Sequence, residues 1–111
     1  MIILFFLLAA HALCDFPLQG DATAINKNRN ANTALQKSVP WQYWLLSHAL
    51  IHGGAVALIT QNVWLGIAET IAHFWIDFFK CEGKYNIHVD QILHIACKVV
   101  WFILYIMISL Q

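Results

Sequence analysis

The chain has 111 residues, of which 60% are hydrophobic and 11% are charged, and its formal net charge is zero. Soluble domains average about 45–50% apolar and about 25% charged residues, so this chain has too few charges to cover a soluble globule. The high apolar content excludes a disordered chain, and the zero net charge gives no reason to expect nucleic acid as a partner. Six histidines, as many as all lysines and arginines together, need an explanation.

Four apolar stretches follow one another along the chain, and each approaches the roughly 20 residues that a helix needs to cross a bilayer. They are residues 2–18, 41–60, 63–79 and 87–110. We therefore predict an all-α polytopic membrane protein, a four-helix transmembrane bundle made of two helical hairpins, with residues 1–111 forming a single domain in the lipid bilayer. Buried core helices of a soluble protein are the alternative for any one stretch, but four of them would lack a polar cover.

The connections between these stretches indicate an orientation. Five of the six basic residues lie in or beside residues 19–40 and 81–86, namely Lys27, Arg29, Lys37, Lys80 and Lys84. The positive-inside rule then makes these two connections cytoplasmic and leaves both termini on the other side. The remaining connection, Gln61–Asn62, is a tight turn. Pro17 removes a helix hydrogen bond, so we expect the first helix to break beside Asp15.

Each predicted span carries two histidine or aspartate residues four positions apart. The pairs are His11 and Asp15, His48 and His52, His73 and Asp77, and Asp90 and His94. Residues at this spacing leave the same face of a helix, and ionisable groups in a bilayer face the interior of the protein. Counted from the cytoplasmic ends, an inner level about 10 Å deep holds His11, His52, His73 and His94, and an outer level holds Asp15, His48, Asp77 and Asp90. One turn deeper, Glu69 and Lys98 are expected to form an ion pair.

Eight imidazole and carboxylate side chains at two matched levels indicate a transition-metal site. Imidazole binds such metals and carboxylates balance their charge, so we expect one or two divalent ions, with zinc first and iron or manganese as alternatives. The residues predicted to surround the ligands are Gln19, Lys27, Glu69, Lys80, Gln91 and Lys98. Two alternatives remain open: a hydrogen-bonded network that only specifies helix packing, and haem held between two opposed histidines.

Four motifs in this order resemble one known family. They are His11-x-x-x-Asp15-Phe16-x-Leu18-Gln19 with Asn26-Lys27, then His48-x-x-x-His52, then His73-Phe74-x-Ile76-Asp77-x-x-Lys80, and Asp90-Gln91-x-x-His94. The chain resembles the domain-of-unknown-function 3307 family of small bacterial and phage integral membrane proteins. The resemblance implies a bacterial inner-membrane location and supports the site, but it implies no reaction. The motifs are also similar, more distantly, to those of membrane-bound metal-dependent hydrolases.

The first functional hypothesis is a metal-dependent hydrolase whose site opens at the cytoplasmic interface. Asp77 and Asp90 are its candidate catalytic residues, and a lipid headgroup or another phosphate ester is the candidate substrate. A second hypothesis is a non-enzymatic protein in which the metal braces the bundle and which binds a host or phage membrane partner, or a second copy of itself. A third is ion or proton transfer through the bundle.

Overall fold

The computed structural model describes all residues, 1–111, and is entirely helical. Its helices are α1 (Ile2–Asp15), α2 (Gly20–Asn26), α3 (Ala34–Ser38), α4 (Trp41–Thr60), α5 (Val63–Cys81) and α6 (Ile87–Ser109). The four long helices are those expected from the four apolar stretches. Their bounds agree with the prediction to within three residues.

The largest difference in bounds is at the end of α1, which was expected to reach residue 18. The helix ends at Asp15 instead, because Pro17 cannot donate a helix hydrogen bond. The chain then bends, and α2 runs at 83° to α1. The expected break beside Asp15 is therefore confirmed, and it places this carboxylate at the last position of its helix.

The first connection is more ordered than the sequence predicts, since it contains both α2 and α3. Thr33 begins α3 with a capping box: its hydroxyl accepts from the Gln36 amide, and its own amide donates to the Gln36 side chain. The same glutamine donates to the backbone carbonyls of Asn26 and Asn28, at 2.9 and 2.8 Å. These bonds hold α3 against the end of α2.

The four long helices form a ring in which α1 and α5 each pack against α4 and α6. The tight turn between α4 and α5 has Gln61 in the left-handed region, at φ 52°. The helices approach closely at Gly53 and Gly66: a Cβ on Gly66 would lie 2.6 Å from the Gly53 carbonyl oxygen and 2.6 Å from the Ala57 Cβ. Small residues at both positions are what allow this contact.

Two helices, α4 and α6, are long and apolar enough to cross a membrane. The bent pair of α1 and α2 is a third candidate if it is counted as one span. Helix α5 was predicted as a span, but it carries Glu69, Asp77 and Lys80 and does not meet the same criterion. The composition is therefore compatible with a membrane location, with two candidate spans in place of the predicted four.

The interior of the ring differs from one end to the other. Of the 21 buried residues, 13 are polar or charged. Leu7, Val56 and Leu65 form an apolar core at the end where α4 turns into α5. Most of the buried polar side chains lie nearer the other end, under the connection that contains α2 and α3.

Candidate metal centre

The structure brings all eight predicted ligand side chains into one buried group, which we call the His/Asp cluster: His11, Asp15, His48, His52, His73, Asp77, Asp90 and His94. Each of the four long helices contributes two of them. The imidazole rings pack against one another, with His52 and His73 stacked at a centroid distance of 3.7 Å and His73 and His94 at 4.2 Å. Every member is at most 7% exposed.

One carboxylate oxygen lies at the centre of the largest ligand set. Asp15 Oδ1 is 3.2 Å from His48 Nε2, 3.3 Å from His52 Nε2 and 3.8 Å from His73 Nε2. In a tetrahedral site with bonds of about 2.0–2.1 Å, neighbouring ligand atoms lie about 3.3 Å apart. All four ligand atoms lie within 4.8 Å of one another, so this set has the composition and the approximate spacing of a four-coordinate metal site.

Several atoms of the cluster have no hydrogen-bond partner within the chain. His52 Nε2 and His73 Nε2 are buried without one, although both lie within 4.0 Å of Asp15 Oδ1. Asp90 Oδ1 is also buried and unpaired. Because a buried polar atom without a partner is costly, unpaired nitrogen and carboxylate atoms facing one another are suited to a shared cation.

A second group of ligand atoms adjoins the first. His94 Nε2 lies 3.1 Å from Asp77 Oδ1 and 3.3 Å from Asp90 Oδ1, and His73 Nε2 lies 3.5 Å from Asp77 Oδ2. The sets His73–Asp77–His94 and Asp15–Asp90–His94 each have the proximity that metal ligands need. Because Asp15 and His73 also belong to the four-residue set, the cluster could hold one ion, or two ions with bridging ligands.

His11 is the one predicted ligand that lies outside all three sets. Its Nε2 is 3.0 Å from the Gln91 side-chain oxygen and 3.7 Å from Asp15 Oδ2. Gln91 in turn donates to Asp15 Oδ2 at 2.6 Å and to Asp90 Oδ2 at 3.2 Å. The position of His11 thus fits a role in orienting Asp15 through Gln91.

Lys27 reaches the cluster from the end of α2. Its ammonium group donates to Asp77 Oδ2 at 2.7 Å and to the Gln19 side-chain oxygen at 2.5 Å. The lysine is buried, at 6% exposure. Gln19 also donates to the Asp15 backbone carbonyl. Gln19 and Lys27 therefore link the elbow between α1 and α2, residues 16–19, to α5.

The expected ion pair between Glu69 and Lys98 is present, with the lysine ammonium 2.6 Å from Glu69 Oε1. Trp101 donates to the other carboxylate oxygen at 2.5 Å. The sequence reasoning missed this tryptophan, although it lies three residues after Lys98 on the same helix face. His73 Nδ1 lies 3.3 Å from Glu69 Oε1. A proton on that nitrogen would leave the Nε2 lone pair free to bind a metal.

A model of the family described as "Protein of unknown function (DUF3307)" matches residues 3–111. The chain belongs to the DUF3307 family. It matches no curated protein and no solved structure.

Lys80 and Arg29 of this DUF3307 chain form no ion pair with the cluster. Lys80, predicted to surround the ligands, is half-buried and takes part in none of the ion pairs. Arg29 pairs with Glu82 at 2.5 Å, and this hydrogen bond lowers the pKa of the Glu82 carboxyl. His88, in the first turn of α6, is exposed.

Proposed function

We propose that the chain is a membrane-embedded, metal-dependent hydrolase that acts on a phosphate ester. The observation that carries this proposal is the meeting of three imidazole Nε2 atoms at Asp15 Oδ1, at 3.2–3.8 Å. Zinc binds histidine nitrogens and carboxylate oxygens, and catalytic zinc sites use three such ligands with water as the fourth. Iron or manganese would suit the same donors, and the second ligand set could accept a second ion.

A hydrogen-bonded network alone accounts less well for the cluster. Five buried side-chain atoms of its members have no partner, among them two ring nitrogens directed at Asp15. A network that only fixed helix packing would be expected to pair these atoms. Haem also fits poorly, because the rings of His52, His73 and His94 stack at 3.7 and 4.2 Å and leave no slot for a macrocycle between them.

The residues of the cluster suit hydrolysis of a phosphate ester. A divalent metal held there would supply Lewis acidity and make water easier to deprotonate. With metal in the two ligand sets that contain His73, Asp90 Oδ1 has no hydrogen-bond partner and stays free to accept the proton, whereas Asp77 is held by Lys27 and His94. The water oxygen bonds to phosphorus, the ester P–O bond breaks, and Asp90 passes the proton to the departing alkoxide. The Lys27 ammonium would attract the anionic phosphate.

The membrane location is part of the proposal. Helices α4 and α6 have the length and composition of spans, and the basic connections favour a cytoplasmic position for the end of the bundle that holds the cluster. All eight cluster residues would then lie in or beside the spanning region, where ionisable groups are costly unless they have a function.

The first experiment measures metal content and activity in the same preparation. The protein is purified in phosphatidylcholine bilayers, its metals are measured by elemental analysis, and release of phosphate from a monoalkyl phosphate is followed. We expect at least about one equivalent of a transition metal. We also expect Asp90→Asn to reduce hydrolysis about 100-fold or more, because it removes the proton acceptor. Asp21→Asn, an exposed carboxylate on α2, is the matched control and should behave as wild type.

Three results would contradict the proposal in different ways. Less than about half an equivalent of metal would leave only the hydrogen-bonded network. Stoichiometric metal without hydrolysis, together with unfolding on metal removal, would favour a bracing metal in a non-enzymatic protein. Full activity of Asp90→Asn would show that Asp90 is not the proton acceptor.

A further inference from the structure

One surface crevice borders the His/Asp cluster. It has a volume of about 290 Å³ and lies between α4 and the elbow that joins α1 to α2, with His48 in its lining. The other two surface crevices contain no member of the cluster. Its apolar lining residues are Leu18, Val39, Tyr43, Trp44 and Ile51.

The crevice runs along one face of α4. From Tyr43 to Ile51 it follows the helix for about 12 Å, at 1.5 Å per residue. Its volume is near the lower end of the roughly 300–1,000 Å³ that is typical of small-molecule sites. Trp44 is fixed in the wall, because its indole N–H donates to the Val39 carbonyl at 3.1 Å. The crevice is therefore mostly apolar, and Trp44 is held in place on one side of it.

The polar end of the bundle, by contrast, is closed over the cluster. Lys27 and Asn26 are buried at the end of α2, and Lys27 bonds to both Gln19 and Asp77. The crevice instead opens on the flank of α4, a helix apolar enough to span a membrane. A ligand that reaches His48 by this path must pass apolar side chains, which favours a molecule with an alkyl tail.

The charge of the cluster indicates the charge of the head group at the other end of that molecule. Three carboxylates and the Lys27 ammonium give the buried group a formal charge of −2 with neutral histidines. Two divalent ions would change this to +2, and an anionic head would then complement it. An alkyl tail in the crevice and an anionic head at the metals together fit a lipid phosphate, which is the phosphate-ester class of the proposed function.

We infer that the crevice holds the alkyl chain of a membrane lipid phosphate whose head reaches the cluster beside His48. This inference rests on the proposed function and names its substrate class. The substrate enters from the bilayer rather than from water, and the elbow after α1 forms one wall of its path. Ser47 of α4 and Thr23 of α2 both line the crevice, so larger side chains there would narrow it.

The test uses quenching of Trp44 fluorescence in metal-loaded protein in phosphatidylcholine bilayers. The probes are a dodecyl phosphate brominated on its tail, the matching brominated dodecanol, and inorganic phosphate as a competitor. We expect the phosphate probe to quench at a roughly tenfold lower mole fraction than the alcohol. Subtracting the fluorescence of the Trp44→Phe variant from that of wild type isolates the signal of Trp44 from those of the other four tryptophans.

Two substitutions narrow the crevice from different helices, Ser47→Phe on α4 and Thr23→Leu on α2. Each should weaken binding of the phosphate probe about tenfold, because a filled cleft excludes the tail. Leu58→Phe, on an exposed position of the same helix, is the matched control and should bind as wild type. Helix content and metal stoichiometry, measured on every variant, show which proteins are folded and loaded.

The outcomes separate this inference from the proposed function. Equal quenching by the phosphate and the alcohol would show ordinary lipid packing and overturn the inference. Inorganic phosphate that competes as well as the lipid would show a soluble anion as the ligand, which also overturns it. Normal binding by both narrowed variants would show that the tail lies elsewhere. In each case a wild-type protein that retains metal and hydrolyses phosphate esters leaves the proposed function standing.

Discussion

The two ends of the ring of long helices are filled in opposite ways. One end is packed with Leu7, Val56 and Leu65, whereas the other encloses the His/Asp cluster and the Lys27 ammonium group. The apolar end can be stabilised by packing alone. The polar end needs every carboxylate and imidazole to find a partner, since unpaired buried charges cost several kcal/mol each. Substitutions at the two ends should therefore destabilise the protein for different physical reasons.

The boundary between the two ends is the Glu69–Lys98 ion pair, and breaking it should have the largest effect on stability. Lys98→Met leaves the Glu69 carboxylate buried without its cation. We expect a loss of about 3–5 kcal/mol in the free energy of unfolding, measured by denaturant unfolding in detergent. The double variant Glu69→Gln with Lys98→Met removes both charges and should recover part of this loss. A double variant less stable than Lys98→Met would refute the explanation.

At the polar end, the largest expected effect on metal binding comes from Asp15→Asn. Asp15 belongs to two of the three ligand sets, and an amide oxygen is a poorer ligand for these metals than a carboxylate. We expect zinc affinity, measured by competition with a chelator, to fall about 100-fold or more. Helix content should stay the same, because the side chains have similar shapes. Unchanged zinc affinity would show that the Asp15 carboxylate does not bind the metal.

A smaller loss of zinc affinity is expected for Glu69, which contacts the ligand candidate His73. Glu69→Gln loses the charge that orients His73 through its Nδ1 proton. Substitutions of residues that orient ligands typically cost about 10–100-fold in metal affinity. Lys84→Gln, an exposed charge change in the last connection, is the control. An affinity equal to that of wild type would confine the role of Glu69 to its ion pair.

The apolar end offers a test in which metal binding should not change. Gly66→Ala puts a Cβ 2.6 Å from the Gly53 carbonyl oxygen, so the two helices must separate. We expect a loss of about 1–3 kcal/mol in the free energy of unfolding with unchanged zinc affinity. Gly54→Ala is the matched control, because nothing lies within 4 Å of the added Cβ. Equal stability of the two variants would show that the close approach is not required.

Much of the arrangement follows from sequence periodicity. The apolar stretches predict the four long helices, and the i, i+4 pairs predict which faces turn inward. Counting residues from the turns also predicts the Glu69–Lys98 ion pair, because the short connection between α5 and α6 forces the two depths to agree. Local rules of this kind work where a connection is too short to allow alternatives.

The rest depended on how side chains meet across the ring. The two predicted levels merge, because the Asp15 carboxylate reaches His48 of the outer level and His52 and His73 of the inner one. His11 has the same spacing as the other histidines but bonds to Gln91. Which partner a side chain contacts depends on how its helix is rotated about its own axis. No single stretch of sequence determines that rotation. The helices within residues 19–40 were also missed, because their order depends on contacts with Asn26.

The bent end of α1 and the last helix are far apart in the chain, and this distance sets an order of assembly. Until α6 packs, Glu69 lacks Lys98, Asp77 lacks His94, and Asp15 lacks Gln91. A chain emerging from the ribosome therefore carries carboxylates on its earlier helices that lack some of their partners until α6 has been made. Proteases should therefore degrade a chain that has only the first three long helices. The chain should become resistant to degradation once the fourth long helix has packed against them.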